Sequence, residues 1–431
     1  MVRMMASGDL TILNAAVIAR IVDRGAARSG PDQGELDLLE NGGVAVRDGR
    51  IVAVGPTEAI ASEYGHPSVP IIDATAKTIL PGLIECHSHP LFAGERHHEY
   101  AGRLGGASLA EVAARGGGIW SSVMATRNAS DADLLRRLEL SYARILSGGV
   151  TTLEVKSGYG LTAASELHQL DLLAQSRALT PIELMITFLG AHVVPRDIEG
   201  PRADDRYTDL VSAMLPGVLA QGIAQFQDVT VEDGLFTPAH ALRLMAQSHD
   251  AGLTVRVHAD AWKPSHGWET AVEGRAISAE HLTYTPDDEI RRVGKTDTVA
   301  VVLPMAELVY MTDRRANARL FIDNGVPLAV ATDYCSSIHA TSLINTVAVA
   351  APWFRITPAE AIVAATLNAA YALGRAAECG SLDNGKRADL LIVDVPHPNE
   401  ICLAAGAPIV DVVIAGGTIV AGSTVQPGDR R

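Results

Sequence analysis

The sequence predicts a (β/α)8 barrel of the TIM type carrying a small β-sandwich domain built from both termini. Three observations predict it. Eight apolar, strand-like runs recur through the middle of the chain. They are continuous rather than alternating, as parallel strands buried on both faces are. Helix-like stretches lie between most of them, and the two ends of the chain share a different, β-rich texture broken by Gly and Asp.

At the amino end, TILNAAVIARIVD, GGVAVRDGRIVAVG and VPIIDATAKTIL read as short strands, which assigns residues 1–77 to the sandwich. The barrel follows over 78–380. Its strands are expected in TILPGLIEC, GVTTLEVK, IELMITFLGAH, QFQDVTVE, LTVRVHAD, AISAEHL, TVAVVLP and PLAVATD. DADLLRRLELSYARILSGG and TPAHALRLMAQSHDAG carry the intervening helical pattern. Residues 381–431 return to the sandwich through ADLLIVDV and PIVDVVIAGGTIVAG. Two unrelated β modules at the ends are the alternative. Residues 93–127, rich in Gly and Arg, form a long excursion after the first barrel strand. Excursions of that length at the carboxyl rim of a barrel usually serve a site.

Composition removes several classes of function. With a formal charge of -15, no clustered Lys and Arg offer a nucleic acid its phosphate contacts. Cys86, Cys335, Cys379 and Cys402 are scattered and form no CxxC pair, which fits a reducing, cytoplasmic setting. The first residues lack the apolar stretch of a signal peptide, and no run reaches the roughly 18 apolar residues of a membrane span.

The chemistry sits at the strand ends, where barrels of this type place their active sites. The first strand ends in His87 and His89; residues i and i+2 of a strand point to one side, so two imidazoles can reach one ion. Counting on, the third strand is read as ending in LEVKSGYG with Lys156 and Tyr159, and the fourth in GAH with His192. The fifth ends at His258, the sixth at His281 and the eighth at Asp333. Taken singly, an HxH pair or a lone buried histidine is commonly structural. Five strand ends carrying His or Asp point together to a centre for Zn²⁺, with Fe²⁺, Mn²⁺ or Co²⁺ also suited to such donors. A bound cation lowers the pKa of water towards about 7 and polarises the attacked carbon, and an adjacent carboxylate can shuttle the proton.

Nearly the whole chain resembles the amidohydrolase superfamily and, within it, the imidazolonepropionases. PGLIECHSHPLFAGERHHEY, GVTTLEVKSGYGL, TFLGAHVVP, VRVHAD, AEHLTYT and GVPLAVATD carry the likeness. The resemblance implies one divalent metal held by His87, His89, His258 and Asp333, because the bridging lysine of two-metal members is absent from the end assigned to His192. It makes Asp333 and His281 the catalytic pair, Asp333 as proton carrier and His281 steering water or substrate. Arg96, Tyr159 and His192 become substrate contacts, with Arg96 as a fork for a carboxylate. It also implies a small-molecule substrate bearing a carboxylate, a homodimer, and no membrane or nucleic-acid partner. A surface role for Arg96 and plain turn packing for Tyr159 are the bland alternatives.

Two positions depart from the family. HADAW places Ala261 where imidazolonepropionases carry a glutamate that contacts the ring, and ATDYCSS places Cys335 where they carry asparagine. Both fall on the expected pocket wall, and the metal set is untouched. The sequence therefore suggests a hydrolase of a five-membered imidazolone or hydantoin-type ring with a propionate arm, in histidine- or ergothioneine-type catabolism, with altered ring contacts. A desulfhydrase acting on the C=S of a 2-thiohydantoin propionate is the near-equal alternative. Cys335 reads as pocket lining, with nucleophile or soft metal ligand as its other roles. A non-catalytic metal- or ligand-binding descendant is the reading from another class.

Overall fold

A computed structural model of the chain describes residues 8–107, 111–112 and 115–422. The amino end supplies strands β1 (Leu10–Ala19), β2 (Leu38–Arg47), β3 (Arg50–Pro56), β4 (Ile71–Asp73) and β5 (Thr78–Pro81). The barrel strands follow: β6 (Leu83–Glu85), β7 (Val150–Lys156), β8 (Glu183–Ala191), β9 (Phe226–Val231), β10 (Thr254–Ala259), β11 (Ser278–His281), β12 (Val299–Val302) and β13 (Leu328–Val330). The chain closes with β14 (Leu390–Val393), β15 (Val410–Ala415) and β16 (Thr418–Gly422).

Strands β6 to β13 pair in sequence order, all parallel. The terminal strands form one mixed sheet in the order β16-β15-β14-β5-β1-β2-β3, with β4 beside β1. Val46 and Ile51 from one end of that path and Val412 and Ile414 from the other pack into a single core. The sheet thus encloses its own apolar centre, separate from the barrel's.

The run TILPGLIEC, expected as one barrel strand, is divided at Gly82. Its first half pairs with β1 and β14 in the terminal sheet, and its second half pairs with β7 in the barrel. A Cβ at Gly82 would lie 2.2 Å from Thr151 Oγ1 and 2.7 Å from Thr151 Cγ2, so only glycine lets the backbone cross from one sheet to the other here.

The strand count also corrects an expectation. LEVK ends the second barrel strand and GAH follows the third; the fourth, β9, ends at Val231 ahead of Glu232. Between β6 and β7 the described residues hold helices and no strand, so the long excursion adds nothing to the barrel count. His192 therefore does not occupy the fourth strand end.

Helix starts follow local rules. Ser130, Thr162 and Thr237 each accept the backbone N–H three residues on, capping helices Asp131–Ser147, Ala163–Ser176 and Pro238–Asp250. Leu134, Leu138, Tyr142 and Ile145 then form the buried stripe of the first of these. No helix among the described residues is long and apolar enough to cross a membrane.

Between β6 and β13 the described residues form no ladder. The seam is stitched at its carboxyl end: a parallel bridge joins Ser88 and Tyr334, His89 N–H donates to Tyr334 O at 2.7 Å, and Thr332 N–H donates to Glu85 Oε2 at 3.1 Å. Replacing Gly82 with Ala is expected to destabilise the chain by about 1–3 kcal/mol through overpacking. Adding Thr151→Ala to it should recover part of that loss, with both read from urea denaturation midpoints.

Candidate active site

The carboxyl ends of the barrel strands converge on a cavity of about 250 Å³. His89, His192, His258, His281 and Asp333 line it, as do Arg96, Tyr159, Ala261 and Cys335. His87 is buried beneath, its ring 5.1 Å from that of His89 and 4.6 Å from that of His258. Every site residue named from the sequence is thus in or directly under one cavity. The excursion serves it too, contributing Arg96, Glu99, Arg103, Val112, Gly118 and Ile119.

Three imidazole nitrogens meet at the floor. His89 Nε2 lies 3.3 Å from His87 Nε2 and 3.3 Å from His258 Nε2. Asp333 Oδ1 lies 3.6 Å from the Nε2 atoms of both His87 and His89. His87, His89, His258 and Asp333 are 0%, 3%, 5% and 4% exposed, so bulk water does little to screen this convergence. Burial, followed by neighbouring cations, holds His87 and His89 well below the usual imidazole range, which makes protons poor occupants of the gap between them.

The tautomer of His258 is set from behind. Its Nδ1–H donates to Asp228 Oδ1 at 3.0 Å, leaving the Nε2 lone pair directed at the cluster. Asp228 is fully buried; burial alone would raise its pKa, but His258 and Lys156 outweigh that and hold it well below the usual carboxylate range. The Nδ1 atoms of His87 and His89 have no hydrogen-bond partner among the described residues. Donors around a tetrahedral ion at about 2.0–2.2 Å stand ~3.3–3.6 Å from one another. The spacings among His87, His89 and Asp333 match that edge length, as does the one from His89 to His258, so the donor set suits a cation at this floor.

A charged layer supports the floor. Lys156 Nζ stands 2.6 Å from Glu154 Oε1 and 2.8 Å from Asp228 Oδ2, all three fully buried. Glu154 also accepts from the Thr187 hydroxyl and, at 3.1 Å, from Ser88 N–H in the segment between the first two histidines. Below, Arg256 Nη2 pairs with Glu280 Oε1 at 2.9 Å and donates to Cys86 O at 2.6 Å. The sequence reading noted Lys156 but missed its partners. Their signal was a charged residue inside a strand run otherwise apolar, as in LEVK and QFQDV.

The walls are equally specific. His192 Nδ1–H donates to Gly158 O at 3.0 Å, and burial keeps the ring neutral by pushing its pKa down to about 3. Its Nε2 is therefore an acceptor. Tyr159 Oη and Arg96 Nη1 both reach Ser336 Oγ, at 3.3 and 3.5 Å. Ala261 opens the loop after β10, which Glu232 pins by accepting the N–H groups of Ala261, Trp262 and Lys263 at 2.7, 3.1 and 2.9 Å. Oε1 of Glu232 also accepts from the Ser265 hydroxyl at 3.3 Å, and Glu232 itself lines the cavity. Burial raises the Cys335 thiol to about 12, so it is neutral at physiological pH. Its sulfur lies 3.4 Å from Ser337 Oγ.

Comparison with known proteins agrees with this architecture. The amidohydrolase family matches residues 78–420, and a bacterial imidazolonepropionase-like composite domain matches 42–66. An imidazolonepropionase of Geobacillus kaustophilus is 42% identical over 391 residues, 90% of this chain and 91% of that one. One from Haloarcula marismortui is 36% identical over 98% of this chain and 99% of its own. Among solved structures, an atrazine chlorohydrolase from Arthrobacter aurescens complexed with zinc superposes with a TM-score of 0.73 at 17% identity, covering 96% of this chain and 95% of the other. An adenosine deaminase from Xanthomonas campestris with bound zinc gives 0.69 at 20% identity, covering 95% and 92%. The chain belongs to the amidohydrolase family and is an imidazolonepropionase-like hydrolase.

Replacing Asp228 with Asn keeps the shape but removes the charged acceptor behind His258. Ion retention is then expected to weaken by about 10–100-fold. Metal analysis after dialysis against graded chelator, wild type beside variant, checks this.

Proposed function

We propose that this amidohydrolase opens a five-membered imidazolone-type ring bearing a propionate arm, as a step in histidine-type catabolism. The observation that carries the reading is the gathering of His87, His89 and Asp333, with His258 joined to them through His89, at the floor of a small cavity with arginines at its mouth. His87, His89, His258 and Asp333 would hold a single divalent ion, zinc by preference with iron, manganese or cobalt as alternatives, which would supply a Lewis acid and lower the pKa of water towards about 7.

The remaining steps belong to the chain's own groups. Asp333 holds a proton at its carboxylate and returns it to the departing ring nitrogen. Its backbone is in the left-handed region at φ 54°, as is that of His281 at φ 74°. Such conformations cost free energy for non-glycine residues, and they aim both side chains inward from the strand ends. His281, its ring 5.3 Å from that of His258 and 5.5 Å from that of His87, steers the reacting groups from the side. The acceptor nitrogen of His192 suits a ring N–H. Tyr159 and Ser336 close the pocket over the ring, and Arg96 stands toward the carboxylate arm.

A second reading has its own observation. Ala261 and Cys335 both line the cavity, and neither offers the hydrogen bonds of a glutamate or an asparagine. A neutral thiol and a methyl group suit a polarisable thioxo sulfur, which accepts hydrogen bonds weakly. Hydrolysis at that carbon would replace C=S by C=O and release hydrosulfide, as expected for ergothioneine-type catabolism. Incubating the purified enzyme with imidazolone propionate and with 2-thiohydantoin propionate separates the two readings. Formiminoglutamate from the first compound is the expected outcome; sulfide from the second, with the first left intact, would replace the proposal by the desulfhydrase. No turnover of either would remove both.

The neutrality of Cys335 yields a further expectation. Cys335→Ala should retain kcat within a few-fold and show no change in the pH dependence between pH 7 and about 9, near the range where ordinary thiols titrate. A kcat lost by orders of magnitude would instead make the thiol a participant.

A further inference from the structure

The mouth of the cavity brings together two guanidinium groups and one carboxylate. Arg96 gives both Nε and Nη2 to Glu99 Oε2, at 2.9 and 2.8 Å. The other oxygen of Glu99 accepts from Gly118 N–H at 3.1 Å and the Ser121 hydroxyl at 3.3 Å. The charge of Arg96 is therefore met within the protein, and only Nη1 of its fork remains turned towards Ser336.

Arg103 lies two turns further along helix His97–Leu104 and lines the same cavity. Among the described residues it forms no ion pair. Its guanidinium instead lies over the ring of Tyr310, 4.9 Å from the centroid, with Tyr100 at 5.9 Å. Tyr310 is itself fixed. Its hydroxyl meets Ser337 Oγ at 2.6 Å, and its ring stands edge-on to Trp262 at 4.7 Å. Burial, with help from the nearby Arg96 charge, pulls the Arg103 pKa down against the opposing effects of Tyr310, Glu99 and Tyr100. A guanidinium over an aromatic ring, with no ion pair among the described residues and a second arginine beside it, is suited to an anion.

We propose that Arg103 takes the free carboxylate of the substrate's propionate arm, while Arg96, already bound to Glu99, frames the pocket beside it. Trp262, Tyr310 and Arg103 then form one wall from the ring site beside Ala261 to the carboxylate anchor. The distance along that wall selects the length of the arm. This inference rests on the proposed ring-and-propionate substrate class.

Imidazole-4-propionate and its primary amide serve as unreactive probes, with binding to the metal-loaded enzyme measured by titration calorimetry. The wild type is expected to favour the acid over the amide by about tenfold or more. Arg103→Met should abolish that preference by weakening the acid far more than the amide, and Arg103→Lys should restore part of it. If Arg103→Met keeps the full preference for the acid, the role of Arg103 is overturned and the substrate class survives. If the wild type binds acid and amide equally, or binds neither, the propionate reading falls and this inference falls with it. A far-UV circular dichroism spectrum and metal content equal to those of the wild type show that the variant is folded.

Discussion

Everything above the barrel floor depends on one buried ammonium. Lys156 sits between Glu154 and Asp228 with no access to water. Three buried charges survive together only because each is paired and hydrogen-bonded; a missing partner leaves an uncompensated charge in a poor dielectric. The arrangement repays its desolvation by organising the site. Glu154 reaches Ser88 and Thr187, and Asp228 reaches His258. A single cation therefore fixes the segment after β6, the middle of β8 and the tautomer on β10. The imidazoles point where they do because their supports are charged, and the supports hold because Lys156 neutralises them.

The second constraint is the seam. Parallel barrels close by pairing the last strand with the first, yet β6 and β13 share no ladder among the described residues. What closes the circle is the chemistry-bearing end itself. Glu85 accepts from His87 N–H and Thr332 N–H, and burial raises its pKa to about 8. His87 and His89 stand on one side of this closure and Asp333 on the other. Gathering donors to a shared point is therefore also the act that joins the two edges.

Much of this was legible in the amino-acid order. Continuous apolar runs spaced by amphipathic stretches dictate parallel strands with helical crossovers, and histidines at the carboxyl ends of those runs can only face the rim. Two things were hidden, each for a physical reason. The break at Gly82 was invisible because TILP and LIEC are equally apolar, and only the proximity of Thr151 shows why the chain turns between sheets there. The strand numbering slipped although the eight apolar runs, taken in order, already put LEVK second and GAH third. The supports Glu154, Asp228 and Glu280 were missed because a carboxylate within an apolar run gains its meaning only from a partner on a neighbouring strand. The pairing of Arg96 with Glu99, and the solitary stacking of Arg103, likewise depend on how one short helix is rotated against the cavity.

The terminal sheet carries a consequence for how the polypeptide comes to be assembled. β5 is held between β1 and β14, and β14 is the product of the last part of the chain. As the polypeptide emerges from the ribosome, the first hairpin must wait with an unsatisfied edge until the whole barrel has been made. Contacts this remote in sequence close slowly, because their loop entropy is lost before any pairing is gained. The early strands are thus a latch awaiting its catch, and the interval between them is the period in which this chain is most open to mispairing with a neighbour or in need of a chaperone.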